Sequence, residues 1–154
     1  DALAITLLTL RGFKEEDFAK FHPGGSLGKK LMKVSDIMRK DLPLAKINTP
    51  LKKAIITMSE KGLGSVLIVD ENDSLVGIIT DGDLRRFINK GKSIDKSKVE
   101  EAMTKNPKTA EKDWYALQAL ELMERYSITV LPVVENGKPI GVVHIHDILK
   151  SGVI

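Results

Sequence analysis

Apolar residues recur at helical spacing in two stretches of this chain, and the two stretches are copies of each other. In both, the apolar positions follow the i, i+3, i+4, i+7 order that lines one face of a helix. A shift of 65 positions places one set on the other: Leu51, Ala54, Ile55 and Met58 on Ala116, Ala119, Leu120 and Met123. We predict a first helix that ends at Lys61 before a left-handed Gly62, and a second that ends at Tyr126 and Ser127.

A β-hairpin and a closing helix follow each predicted helix. The hairpin strands are short and rich in β-branched residues, with polar turns between them. They fall at 64–69 and 75–80 in the first copy, and at 129–134 and 139–144 in the second. The second turn is one residue shorter, so the offset between the copies becomes 64 beyond it. We predict that the closing helices begin at Asp83 and Asp147, two positions that also suit a helix cap.

A further segment leads into each copy. Residues 34–38 align with residues 99–103, and the stretches around 46–50 and 108–111 are predicted to be extended. Each copy is then an α+β unit of about 60 residues with a three-stranded sheet, which is too small to bury its strands alone. We therefore predict a pseudo-twofold pair packed sheet against sheet, divided into a first domain at 34–95, a second at 96–154, and residues 1–33 outside the pair.

Composition and charge narrow the classes of function. The chain has 154 residues, 42% of them hydrophobic, and its formal net charge of +3 comes from basic residues scattered among acidic ones. Aromatic residues make up 5%, which disfavours a stacking surface for single-stranded nucleic acid, and we predict no nucleic-acid partner. The absence of cysteine excludes disulfides and thiolate metal sites, and it fits the reducing cytoplasm.

No stretch of the sequence has the length of a membrane span. The longest uncharged runs, at 2–10 and 126–134, are about half of the roughly 18 apolar residues that a transmembrane helix needs. We predict no membrane partner. The chain starts at Asp1 without an initiator Met or a signal peptide, so we expect it to be part of a longer protein.

The motif that closes each predicted hairpin resembles that of a known family. Residues 77–83 read Gly-Ile-Ile-Thr-Asp-Gly-Asp, and residues 141–147 read Gly-Val-Val-His-Ile-His-Asp. The glycine, the apolar pair, the hydroxyl residue and the final aspartate resemble the CBS domain, with His144 in place of the hydroxyl residue in the second copy. The resemblance covers residue 34 to about residue 154 and implies a tandem CBS domain pair, or Bateman module.

Thr80 and Asp83 place a hydroxyl and a carboxylate at the mouth of the predicted cleft between the copies. One carboxylate accepts both vicinal hydroxyls of a ribose, and the N–H groups of a helix start, with Arg85 or Arg86, suit a phosphate or a carboxylate. By resemblance, CBS pairs bind adenosine nucleotides or similar ligands in this way, so AMP or ATP is the default ligand and no cofactor is required. The alternatives are that Asp83 is only a helix cap and that the arginines are only solvated charge.

His144, His146 and Asp147 are the candidate ligand-binding residues of the second copy. On a strand the two histidines would point to the same face, which is one way to gather metal ligands. No third and fourth ligand are evident beyond Asp147, so we predict no metal site. Either histidine suits a phosphate or a sugar acid, and the contact strengthens as the pH falls through about 6.5.

The residues ahead of the pair are predicted to belong to another domain. Residues 1–10 are predicted to form an apolar helix without a polar face, which should be buried, and a second helix is predicted at about 14–21. His22-Pro-Gly-Gly then begins a loop, which by composition alone is a turn. Together with Arg11-Gly-Phe, Glu16-Asp-Phe-Ala and Thr80-Asp-Gly-Asp-Leu-Arg-Arg, this order resembles the C-terminal half of the bacterial D-arabinose 5-phosphate isomerase family.

That resemblance implies a parent enzyme with an α/β sugar isomerase (SIS) domain ahead of the CBS pair, so residues 1–33 would be its last helices. The family interconverts ribulose 5-phosphate and arabinose 5-phosphate for the synthesis of Kdo, a sugar acid of lipopolysaccharide. The histidine matched by His22 is associated with the family's active site, where proton transfer between neighbouring carbons needs a base of near-neutral pKa. The remaining catalytic groups would lie upstream, so we expect this chain alone to be inactive.

The resemblance also implies what the CBS pair does. We expect a regulatory module that binds a nucleotide, or the activated sugar CMP-Kdo, and acts on its own SIS domain within a homodimer or homotetramer. The alternatives are a purely structural, oligomerising CBS pair and a CBS pair of another SIS-family sugar-phosphate isomerase.

Overall fold

The computed structural model describes residues 31–153, so the predicted helices at 1–10 and 14–21 and the His22 loop lie outside the described residues. The first copy contains α1 (Val34–Ile37), β1 (Leu44–Lys46), α2 (Leu51–Lys61), β2 (Ser65–Val69), β3 (Leu75–Thr80) and α3 (Asp81–Asn89). A 3-10 turn (Ile94–Lys96) connects it to α4 (Val99–Ala102), β4 (Thr104–Lys105), α5 (Ala116–Tyr126), β5 (Val130–Glu135), β6 (Lys138–His144) and α6 (Ile145–Ser151). The predicted order of helix, strand, strand and helix is confirmed in each copy. None of these helices is long and apolar enough to cross a membrane.

The central helices α2 and α5 form where the apolar spacing predicts them. Leu51, Ala54 and Met58 are buried on α2, and their counterparts are buried on α5: Ala116, Ala119 and Met123, together with Leu120. Helix α2 ends at Gly62 with φ 69°, and α5 ends at Ser127 with φ 54°. Both predicted helix ends are confirmed, although the left-handed conformation is less favourable for Ser127 than for a glycine.

Each sheet takes an edge from the segment that leads into the other copy. The first sheet has the order β1-β2-β3-β4, with β1 parallel to β2 and the remaining pairs antiparallel, and β4 comes from the start of the second copy. In the second sheet β5 pairs with β6, a parallel bridge joins Ala110 to Val133, and an antiparallel bridge joins Arg39 to Val142. Arg39 and Thr104, which lies in β4, therefore occupy equivalent edges. The three-stranded sheets predicted from the sequence lacked this exchanged edge.

The two sheets pack face to face, as predicted. Leu67 and Ile78 of the first sheet share a buried cluster with Val130 and Val142 of the second. This cluster removes apolar surface of both copies from water, which a unit of this size does poorly on its own. The predicted fold class, an α+β pair with pseudo-twofold symmetry, is confirmed.

The lead-in helices α1 and α4 are also exchanged between the copies. Val34 on α1 is buried in the core of the second copy, and Val99 on α4 is buried in the core of the first. The N–H of Val34 donates to Trp114 O (2.8 Å), and the N–H of Val99 donates to Thr49 O (3.0 Å), so the two helices are anchored in the same way. Each copy is therefore folded against the opening segment of the other.

The closing helices begin two residues earlier than the sequence indicated. Helix α3 starts directly after Thr80 and α6 directly after His144, and these two residues are the N-caps. Asp83 and Asp147 stand at the third helical position, where their carboxylates accept the N-cap backbone N–H at 2.9 and 3.1 Å. The predicted helix starts at the aspartates are therefore wrong, and the alternative that the aspartates are N-caps does not hold, because they form the second half of a capping box.

Candidate functional site

A cleft with a volume of about 590 Å³ opens between the two copies. Five of the residues predicted to bind a ligand line it: Thr80, Asp83, Arg85, Arg86 and His144. The other two predicted residues, His146 and Asp147, are not part of its lining. The volume lies within the range of small-molecule binding sites.

The Asp83 carboxylate is buried and accepts hydrogen bonds through both oxygens. Its Oδ2 atom accepts from the N–H of Thr80 (2.9 Å) and from Thr80 Oγ1 (3.0 Å). Its Oδ1 atom accepts from Arg86 Nη2 (2.6 Å) and from Thr104 Oγ1 (2.7 Å). A ligand hydroxyl that binds Oδ1 must take the place of one of these donors. The Arg86 side chain is 66% exposed, against 6% for Asp83, so Arg86 is free to swing into water.

Positive charge also lines the cleft. Arg85 and Arg86 lie on α3, and Lys108 lines the cleft from the second copy. The start of α3 itself favours an anion, because its N–H groups form the positive end of the helix dipole. Together these groups suit a phosphate or a carboxylate, even with the acidic side chain of Asp81 in the same lining.

Another part of the lining is apolar. It consists of side chains from both copies: Leu63, Ile78, Pro107, Tyr126, Ile128, Val130 and Pro132. Lys108 Nζ lies 4.4 Å from the centre of the Tyr126 ring, a cation–π contact between two residues of the lining. An apolar surface beside cationic side chains suits a ligand that has both a flat ring and an anionic group.

Sequence reasoning did not select Thr104, Lys108 and Tyr126, because it considered each hairpin motif within its own copy. These residues reach the cleft from the second copy: Thr104 from the exchanged edge, Lys108 from the segment that follows it, and Tyr126 from the end of α5. A signal for Thr104 was available in the repeat. Thr104 follows Met103 directly, as Arg39 follows Met38 in the aligned segment.

In the second copy, an arginine binds the carboxylate of Asp147, the counterpart of Asp83. Arg39 donates from Nη2 to Asp147 Oδ1 (2.9 Å) and from Nε to Asp147 Oδ2 (3.1 Å), so the ion pair is bidentate. Burial alone would raise the pKa of Asp147, but the hydrogen bonds from Arg39 and from the N–H of His144, with the charge of Arg39, hold that pKa below its usual range.

His144 and His146 stack on each other. His144 ends β6, whereas His146 lies in α6 and donates its backbone N–H to His144 Nδ1 (3.1 Å). The two do not share a strand face as supposed, and their ring centres are 4.7 Å apart. Burial lowers the pKa of His144, and the charges of His146 and Arg39 lower it further, against the opposing charge of Asp147. Within residues 31–153, no group of three or more metal-ligating side chains is arranged to hold an ion.

The sequence matches the CBS domain family model twice, at residues 34–90 and 99–153. The chain therefore belongs to the CBS domain family, in which it forms a tandem pair. It is 49% identical, over 97% of its length, to arabinose 5-phosphate isomerase KdsD of Francisella tularensis, and it covers 47% of that protein. The chain spans about half the length of the curated relatives it matches. These matches confirm the resemblance found in the sequence.

Solved structures of CBS proteins have the same fold. The CBS domain pair of protein MJ0100, in complex with 5′-methylthioadenosine and S-adenosyl-L-methionine, is 30% identical, with a TM-score of 0.71 over 78% of this chain and 94% of that one. CBSX2 in complex with AMP is 28% identical, with a TM-score of 0.68 over 78% and 95% of the two chains. Both of these structures hold adenosine compounds.

Proposed function

We propose that this chain is the regulatory, nucleotide-binding module of a D-arabinose 5-phosphate isomerase. The observation that carries the proposal is the cleft between the copies, where Thr80 and Asp83 stand beside cationic side chains and an apolar wall. The adenosine compounds bound by MJ0100 and CBSX2 support a nucleotide as the ligand. The KdsD relatives support the identity of the parent enzyme.

In this proposal the ligand replaces Arg86 on the Asp83 carboxylate. A ribose hydroxyl binds Oδ1 while Arg86 swings away, and the freed guanidinium joins Arg85 and Lys108 around the anionic group. The base lies against the apolar part of the lining, beside Tyr126. AMP, ATP and CMP-Kdo all carry a ribose, a base and an anionic group, so the same contacts serve each of them.

Regulation follows if the ligand prefers one arrangement of the two copies over another. Helix α1 packs into the core of the second copy, so a movement between the copies moves the point where the preceding chain enters the pair. Catalysis belongs to the upstream SIS domain, together with His22, and the chain alone has no isomerase activity. Substrate choice also lies upstream, so the alternative parent is another SIS-family sugar-phosphate isomerase. This regulation takes place in the cytoplasm.

Isothermal titration of the chain with AMP, ATP and CMP-Kdo tests the proposal. We expect saturable binding of at least one of them, weakened about tenfold or more in Asp83→Asn and Arg85→Ala, because each variant removes a charge that meets the ligand. Asp95→Asn is the matched control, because Asp95 is 75% exposed and pairs with Lys52 outside the cleft. No heat with any of the three ligands would contradict a sensory role, and equal binding by every variant would contradict the cleft as the binding site.

A structural role is the second candidate function. It is favoured by the hydrogen bonds that satisfy Asp83 within the chain, one of which, from Thr104, ties the two copies together without a ligand. Exposed apolar side chains offer surface for a homodimer or homotetramer: Leu44, Ile56, Ile88, Tyr126 and Leu149. Light scattering measures the mass of the assembly in solution. An oligomer whose mass is independent of nucleotide, with no heat of binding, would favour this structural role.

A further inference from the structure

Arg39 and Thr104 occupy equivalent positions, but they act differently on the aspartate that each contacts. Thr104 gives Asp83 one hydrogen bond from its hydroxyl. Arg39 gives Asp147 a two-point ion pair from its guanidinium. Both residues come from the lead-in segment of the other copy, so the difference between the two half-sites lies in this one exchanged position.

The Arg39 side chain is anchored at its base. The N–H of Arg39 donates to Val142 O (2.8 Å), and the N–H of Val142 donates to Arg39 O (3.0 Å). The guanidinium fork matches the carboxylate, so little side-chain freedom is lost for each hydrogen bond formed. Arg86 differs, because it reaches Asp83 through one nitrogen and is 66% exposed, compared with 45% for Arg39.

Both oxygens of the Asp147 carboxylate are occupied, as those of Asp83 are, but at Asp147 a single guanidinium spans the two oxygens. Oδ1 accepts from Nη2 (2.9 Å) and Nε (3.3 Å) of Arg39, and Oδ2 accepts from the same Nε (3.1 Å) and from the N–H of His144 (3.1 Å). His144 also lacks the hydroxyl of Thr80, and its Nδ1 atom is occupied by the N–H of His146. The lining of the large cleft includes His144 but not Asp147.

We propose that Arg39 is a built-in occupant of the second ligand position, so that the chain binds one ligand per CBS pair, at Asp83. This inference rests on the proposed function, because it assigns the stoichiometry of the same kind of site. The arginine stands where the hydroxyls of a ligand would meet the carboxylate. The second copy is then a permanently closed half, and the first copy alone responds to the ligand.

Exchange of the two residues tests the inference. Arg39→Thr copies Thr104 into the second position, and Thr104→Arg copies Arg39 into the first. Isothermal titration of the full chain with AMP, ATP and CMP-Kdo in turn measures the number of sites. We expect one site in the unaltered chain, two in Arg39→Thr and none in Thr104→Arg. Adding Asp147→Asn to Arg39→Thr must return the number to one, since the gained site uses that carboxylate.

The outcomes separate this inference from the proposed function. Two sites in the unaltered chain, or no gained site in folded Arg39→Thr, overturn the inference. If titration finds no site in the unaltered chain, the proposed function is overturned. If Arg39→Thr then gains one site, that gain still supports Arg39 as the occupant of the second position. If Arg39→Thr does not unfold cooperatively, Arg39→Gln takes its place, because it removes the charge but keeps a long side chain.

Discussion

Thr104 Oγ1 donates a 2.7 Å hydrogen bond to Asp83 Oδ1, and this bond joins one copy of the repeat to the other. Thr104 lies in β4, at the start of the second copy, and Asp83 lies in the first turn of α3, at the end of the first. The acceptor is a carboxylate that is only 6% exposed, so the bond is charge-assisted and poorly replaced by water. The stability of the pair therefore depends on this contact.

Replacement of Thr104 by Val removes the donor and nearly keeps the shape. We expect the free energy of unfolding to fall by about 1.5–3 kcal/mol, the range of a hydrogen bond to a charged group. Urea unfolding measures the change. Thr57→Val is the matched control, because Thr57 Oγ1 donates to Lys53 O at 3.4 Å on an exposed face, and there we expect a change within about 0.5 kcal/mol. Equal losses in the two variants would contradict the prediction.

Met38 lies so close to Gly141 that a side chain does not fit there. A Cβ atom on Gly141 would lie 2.5 Å from Met38 Sδ and 2.9 Å from Met38 Cγ. We expect Gly141→Ala to lower the free energy of unfolding by about 1–3 kcal/mol through overpacking. In the control variant Gly82→Ala the atom nearest to the new Cβ is the flexible end of Arg86, at 3.4 Å. We therefore expect the free energy of unfolding, measured by thermal unfolding, to change little. A comparable loss in both variants would refute the explanation by close contact.

His144 makes the fold sensitive to acid. Burial holds the pKa of His144 below its ordinary value, and His146 and Arg39 add to this against the effect of Asp147. The unfolded chain binds that proton at its ordinary pKa of about 6.5, so the folded state loses stability as the pH falls below this value. A proton on Nδ1 also removes the acceptor for the N–H of His146. We expect a lower urea midpoint at about pH 5.5 than at about pH 7.5.

The variant His144→Thr isolates this titration. Threonine stands at the equivalent position as Thr80 and supplies a cap acceptor that does not titrate in this range. The difference between the urea midpoints at the two pH values should therefore shrink in His144→Thr. A difference as large as in the unaltered chain would assign the acid sensitivity to another group.

Ser65 Oγ is fully buried and has no hydrogen-bond partner among the described residues. A buried, unpaired hydroxyl costs about 1–3 kcal/mol, so we expect Ser65→Ala to leave the free energy of unfolding unchanged or to raise it. Ser97→Ala is the comparison, because Ser97 Oγ donates to Ser93 O at 2.7 Å, and its loss should cost about 1 kcal/mol. Chemical denaturation measures the free energy of unfolding of both variants. A larger decrease in Ser65→Ala than in Ser97→Ala would disprove the prediction.

The central helices could be predicted from the sequence because their signals are local. The apolar spacing on α2 selects the face with Leu51, Ala54 and Met58, and Gly62 ends the helix in the conformation that glycine favours. The role of Asp83 could be predicted less well. Both a cap and the third helical position suit an aspartate near a helix start, and only the backbone conformation distinguishes Thr80 as the cap.

The sequence by itself determined the repeat, the order of elements in each copy, and the place of Thr80 and Asp83 at the junction of a strand and a helix, because periodicity and turn chemistry act over a few residues. Only the tertiary structure decided which residues meet these groups from the other copy. Thr104 is 21 positions from Asp83, and Arg39 is 108 positions from Asp147. Contacts over such separations depend on how the two sheets pack and exchange their edges, and burial of apolar surface drives that packing without marking the polar residues it brings together.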